Sequence, residues 1–101
     1  MAYESKLKSE ELDVLFRAIR SLKDEEACYR FFEDLCTIAE LQAMGQRMMV
    51  AELLHRGVTY QEVAQLTGAS TTTISRVNKC LHYGADGYAR VLREQDEAEE
   101  S

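Results

Sequence analysis

The residues with the most chemical content cluster between 70 and 79. Ser70, Thr71, Thr72, Ser75, Arg76 and Lys79 are short hydroxyls and cations at helical spacing, so one outward face carries them together. Side chains of these types hydrogen-bond phosphate oxygens and base edges in a DNA major groove, and an Arg pairs bidentately with guanine. Chemistry for catalysis is absent from the pattern: the carboxylates fall on solvated helix faces and there is no glycine-rich phosphate loop. His55 and His82 are far apart and outside any ligand spacing, which suits helix C-termini, where a cation complements the dipole. Cys28, Cys36 and Cys80 are odd in number with no C-x-x-C spacing, so no disulfide framework or zinc site is expected; they are expected to be core residues. The sequence therefore predicts no catalytic residues and no metal.

The elements that must position this face are two short helices. Thr59 and Glu62 form a T-x-x-E capping box that opens a helix over 60–67. Val63 and Ala64 face inward, and Ala64 is small enough for a close helix crossing. Gly68 sits at the turn, where only glycine enters the left-handed region without steric penalty. A second helix over 71–83 follows, with Ala69, Ile74 and Val77 as its apolar side and Gly84 at its end. This is the spacing of a DNA-binding helix-turn-helix, at about 60–81. Gln61, in the first turn of the leading helix, is placed to donate to a phosphate. The run Thr71-Thr72-Thr73 lowers helix propensity, which a Ser70 or Thr71 cap alone would leave unexplained; hydroxyls at a helix N-terminus that bind phosphates and base edges explain it.

Around that motif the chain is short, acidic and helical. Its 101 residues make one domain, and its 46% apolar content builds only a small core. A domain of this size buries about two-thirds of its unfolded surface, so a partner subunit adds needed burial. The net charge of −6 is unevenly placed: residues 1–52 hold 7 Lys/Arg against 11 Asp/Glu, 53–93 hold 5 against 2, and 94–101 hold none against 5. The reading segment is thus the basic part of an acidic chain, within the range of about 8–10 Å over which exposed charges act. There are no prolines and no alternating strand patterns. Residues 1–8 read as a flexible N-terminal segment, 9–93 as the domain and 94–101 as an acidic disordered tail. Ser9 caps a first helix with the stripe Leu12, Leu15, Phe16, Ile19 and Leu22; Asp24 caps a second with Ala27, Cys28, Phe31, Phe32 and Leu35. Asp86 is the expected cap of a last helix bearing Tyr88, Val91 and Leu92. The third helix, from Ile38 to His55 with Gly57 to end it, is apolar in nearly every direction, through Leu41, Ala43, Met44, Met48, Met49, Val50, Ala51, Leu53 and Leu54. Such a helix is buried on most sides, which a second copy of the chain achieves most simply. No apolar run approaches the roughly 20 residues that span a bilayer, and no secretory signal opens the chain, so the expected location is the cytoplasm.

The blocks AMGQRMMVAELLHRG (43–57) and TYQEVAQLTGASTTTISRVNKCL (59–81) resemble the tryptophan repressor superfamily, in particular its YerC/YecD-like branch. The resemblance covers about residues 9–92 and rests on Gly45, Arg47, Arg56-Gly57, Gly68-Ala69 and Thr73-Ile74-Ser75-Arg76. It implies an all-α fold of six helices, an intertwined homodimer with the third helix at its centre, and paired reading helices in successive major grooves. It further implies a small-molecule pocket at Thr37, Arg47 and Arg76. Val77 stands where the repressor has a glycine that gives an indole room, and the turn before the motif is one residue shorter, which argues against tryptophan as the ligand.

Together these features predict a homodimeric transcriptional regulator, a repressor, that binds near-palindromic double-stranded DNA and needs no cofactor. Two other readings stand beside it: a regulator that requires a small-molecule corepressor, and a helical protein-interaction module without DNA binding.

Overall fold

The computed structural model describes residues 3–100, apart from the side chain of Glu100. All regular structure among them is α-helix: α1 (Glu10–Arg20), α2 (Glu25–Leu35), α3 (Ile38–His55), α4 (Tyr60–Thr67), α5 (Thr71–Tyr83) and α6 (Gly87–Glu100). The six expected helices are present. They fall into two compact units that divide between Ile38 and Ala39.

The first unit holds α1 and α2, each started by the residue its sequence marked. Ser9 Oγ accepts from the Leu12 N–H at 3.1 Å, and Asp24 Oδ1 from the Ala27 N–H at 2.8 Å. Glu10, Glu11 and Asp13 in the first turn of α1, with Arg17 and Arg20 in its last, complement the helix dipole. Phe31 and Phe32 meet edge to face at 5.3 Å. Yet neither helix contains a fully buried residue, and Phe16, Tyr29 and Leu35 are half or more exposed. The stripes form as predicted and are partly covered: Leu12, Leu15, Ile19, Leu22, Ala27, Phe31 and Phe32 are half-buried, while Phe16, Cys28 and Leu35 stay exposed.

The second unit holds the core: Val50 and Ala51 of α3, Val63 of α4, Ala69 of the turn, Ile74 and Val77 of α5, and Leu92 of α6. Removing each larger aliphatic from water contributes about 1.5–3 kcal/mol, so these few side chains supply most of the stabilisation that ties four helices together. The end of α3 forms a complete Schellman motif. Val58 N–H donates to Leu53 O and Gly57 N–H to Leu54 O, both at 3.0 Å, with Gly57 left-handed at φ 84°. Val58 and Leu53 then pack against the core. On α3 only Val50 and Ala51 are buried within the chain, while Met49 is half exposed. The expected surplus of apolar surface on this helix is real.

Several expectations are corrected. The cysteines are not core residues: Cys28 and Cys80 are exposed and Cys36 is half-buried. The acidic segment begins inside a helix rather than as a separate tail, because α6 runs through Glu100. Gln, Ala and Glu propagate a started helix without needing apolar cover, and Asp96 Oδ2 meets His55 Nε2 at 2.7 Å across to α3. Asp86 does not act as a side-chain cap. It is left-handed at φ 70°, and its Oδ2 accepts from Arg90 Nε at 3.1 Å and from an Arg93 guanidinium nitrogen at 3.4 Å.

Gly68 is the turn residue on which the motif's geometry hangs: φ is 73°, its N–H donates to Ala64 O at 2.9 Å, and a Cβ there would meet nothing within 4 Å. The penalty for a side chain is therefore purely one of backbone. Gly68→Ala is expected to lower stability by about 1–2 kcal/mol in urea unfolding, and Gly68→Asn by less, since Asn tolerates this region.

Candidate nucleic-acid interface

The motif is built outward from the core. Thr59 Oγ1 accepts from the Glu62 N–H at 3.3 Å and starts α4; Val63 then turns inward with no exposed surface. After Gly68 the chain turns through Ala69, which is buried, and Ser70, which starts α5. Thr67 locks this turn, since its hydroxyl donates to Val63 O at 2.7 Å and accepts from the Ala69 N–H at 3.1 Å. Gln46 of α3 donates its amide to Thr67 O at 3.2 Å, tying the turn to the long helix. Neither Gln46 nor Thr67 stood out in the sequence. A Thr at the last residue of a helix, one before Gly, is a local signal for this kind of back-bond, whereas the Gln46 contact spans 21 residues and has none.

α5 presents two faces. Ile74 and Val77 are buried, while Thr71, Thr72, Ser75, Arg76 and Lys79 are all exposed, as is Gln61 in the first turn of α4. Among the described residues, none of these six side chains has a hydrogen bond or ion pair within the chain. Ser70 differs. Its hydroxyl accepts from the Thr73 N–H and donates to Thr73 Oγ1, both at 3.1 Å, so its hydroxyl is occupied as the N-cap. Thr73, half-buried, faces away from the exposed row.

The basic character is concentrated further by pairing. Of the Lys and Arg residues between 39 and 100, Arg56 is bound to Glu52 at 2.7 Å, and Arg90 and Arg93 to Asp86. Arg47, Arg76 and Lys79 have no such partner among the described residues. Arg47 and Arg76 line one open cleft of about 350 Å³. α3 contributes Ala43, Gln46 and Arg47; α5 contributes Thr73, Arg76, Val77 and Cys80; and α6 contributes Tyr88. Two of the three pocket residues implied by resemblance thus come together, with Val77 in the same wall. Thr37 lies in the first unit, outside this set. The row Thr73, Arg76, Val77 and Cys80 has helical spacing and was legible as a face, but its partners on α3 and α6 were not. His55 and His82, expected at helix ends, stand there and line a separate cleft of about 280 Å³ with Arg93. No group of three or more His, Cys, Asp or Glu side chains among the described residues is arranged to hold a metal ion.

Ser70→Ala is expected to lower unfolding stability by about 0.5–2 kcal/mol through loss of the α5 cap, and Ser70→Asp to retain most of it. Equal stability of Ser70→Ala and the parent in urea denaturation would contradict the capping role.

The fold agrees with that of similar proteins. A profile of the Trp repressor protein family matches residues 10–96. The uncharacterized protein YerC of Bacillus subtilis is 55% identical over 94 residues, which cover 93% of this chain and 90% of that protein. A crystal structure of a TrpR-like protein from Eubacterium eligens superposes with a TM-score of 0.86 at 52% identity, over 90% of this chain and 94% of the other. A putative Trp repressor from Staphylococcus aureus gives a TM-score of 0.85 at 46% identity, over 90% and 91%. With its helix-turn-helix, its six helices and these likenesses along most of its length, the chain belongs to the Trp repressor family, alongside the YerC-type protein.

Proposed function

We propose that the protein is a sequence-specific DNA-binding transcriptional repressor that reads a near-palindromic operator as an intertwined homodimer. The observation that carries this reading is the exposed, internally unpartnered row Thr71, Thr72, Ser75, Arg76 and Lys79 over the buried Ile74 and Val77. Thr71, Thr72 and Ser75 contact phosphates and base edges near the α5 N-terminus, where the helix dipole also favours an anion. Arg76 has the fork for guanine, Lys79 supplies point charge, and Gln61 holds a phosphate from α4. Ser70, which the sequence placed among the contacts, serves by starting the helix that carries them. Homodimerisation is supported by the apolar surface that α3 leaves exposed and by the smallness of the core. Twofold symmetry then places half-sites about one helical turn apart. No helix of the described residues is long and apolar enough to cross a membrane, which fits the cytoplasmic location we assign.

A second reading, regulation by a small molecule, is favoured by the cleft that Arg47 and Arg76 share. Val77 in its wall narrows it against an indole, so tryptophan is not the ligand we assign, and Thr37 is not part of the site we assign.

In vitro selection from a random duplex pool is expected to enrich a motif with twofold symmetry; an interaction module would enrich none. On the selected site, Arg76→Ala is expected to weaken binding by about 1–3 kcal/mol with relaxed specificity at one position. Lys79→Ala is expected to weaken binding similarly on all sequences and to lower the salt slope by about 1. Unchanged affinity for both variants would sink this docking.

A further inference from the structure

The outward face of α5 does not stop at Lys79. Helical period carries the row Thr72, Ser75 and Lys79 on to His82 and Tyr83 in the last turn, and both are exposed, Tyr83 to 85%. We infer that this last turn grips the DNA backbone, His82 pairing with a phosphate in its protonated form and Tyr83 donating its hydroxyl to another, so that DNA affinity rises as pH falls. This rests on the reading of α5 as the DNA-contacting helix.

Distance decides which part of the duplex the turn meets. From Thr71 to His82 the helix axis advances roughly 16 Å, whereas a major groove is about 12 Å wide and about 8.5 Å deep. A helix whose first turns touch base edges therefore brings its last turn to the rim, where phosphates and sugars stand. Contacts there fix position and carry no sequence information.

The two histidines differ in what answers their charge. His55 Nε2 meets Asp96 Oδ2 at 2.7 Å, a partner within the chain. His82 has no hydrogen bond or ion pair among the described residues, and neither does the Tyr83 hydroxyl. The groups around His82 are Lys79 on its own helix, Arg93 on α6 and His55 on α3, the last two lining one cleft with it. The nearby carboxylates are engaged elsewhere: Asp86 with Arg90 and Arg93, Asp96 with His55, and Glu97, a turn beyond Arg93, with a contact of its own. A DNA phosphate supplies the counter-ion that a protonated His82 lacks. The Tyr83 ring lies beside it, with centroids 6.3 Å apart, so the two side chains reach the same stretch of backbone.

The sign follows from the charge. An adjacent anion favours the protonated imidazole, and histidine changes charge between about pH 5 and pH 8. Binding is thus strongest at the acidic end of that range and weakens as pH rises through it.

The test measures binding of the selected operator and of a random-sequence duplex to the full-length protein by fluorescence anisotropy, at about pH 6 and about pH 7.5 with ionic strength held equal. The parent is expected to bind both duplexes about three-fold more tightly at the lower pH. Its salt slope is expected to steepen there by up to about 0.9 for each imidazole that meets a phosphate. His82→Gln is expected to lose both pH effects on both duplexes, whereas His82→Lys, charged throughout, keeps the tighter affinity at the higher pH. His55→Gln is expected to retain the parent's response. Tyr83→Phe is expected to weaken both duplexes alike, by about three-fold. Thermal unfolding at both pH values checks that each variant is folded, and His82→Lys carries the comparison if His82→Gln is not. An undiminished pH response in His82→Gln, a pH effect confined to the operator, or parent affinity in Tyr83→Phe overturns the backbone grip. Absence of DNA binding at either pH overturns the DNA reading of α5 itself, a result distinct from DNA binding that pH leaves unchanged, which overturns only the role of His82.

Discussion

Burial of Ile74 and Val77 beneath α5 is the constraint on which the site depends. These two side chains sit against Val50 and Ala51 of α3, Val63 of α4 and Leu92 of α6, and their position on the helix fixes its rotation. With 74 and 77 inward, the 3.6-residue period leaves 72, 75, 76 and 79 no choice but to face out. The same rotation gives Arg76 its double membership, at the boundary between the outward row and the wall shared with Arg47. The surface we propose for DNA contact is thus a consequence of the core rather than an addition to it.

Rotation alone would not place α5 against α4. The angle between them is set by a turn of three residues: Gly68 takes the left-handed conformation, Ala69 enters the core, and Ser70 caps. Thr67 and Gln46 then fasten the turn to α3 through the bond to the Thr67 carbonyl. A recognition element benefits from this rigidity because side chains that are already in place lose less freedom on binding. The ionic groups nearby are arranged to the same end. Arg56, Arg90 and Arg93 are held by Glu52 and Asp86, which among the described residues leaves the unpaired Lys and Arg charge of the unit at Arg47, Arg76 and Lys79.

The core that enforces all this is small, and the apolar surface it leaves uncovered is large. Met49 on α3 and Phe16, Tyr29 and Leu35 in the first unit are half or more exposed. The homodimer we propose would cover such surface and make folding and assembly one process, so that stability depends on protein concentration. In that arrangement the spacing of the paired reading helices is set by the same contacts that stabilise the chain.

The chain's own order of residues determined the helices and their ends. Ser9, Asp24, Thr59, Ser70, Gly57, Gly68 and Gly84 act locally, within a turn of where they stand, so their roles could be read without knowing the fold. The inward and outward faces of α5 were legible for the same reason, since helical period is a local property. What tertiary structure decided is which distant side chains share a space and which are already occupied. It brought Arg47 to Arg76, Gln46 to Thr67 and His55 to Asp96, contacts whose sequence separation leaves no periodic trace. It left Cys28 and Cys80 at the surface, carried α6 through the acidic segment, and turned Asp86 from a cap into the anchor of two arginines. Each of those outcomes depends on competition among partners for a neighbour in space, and only the packed chain settles that competition.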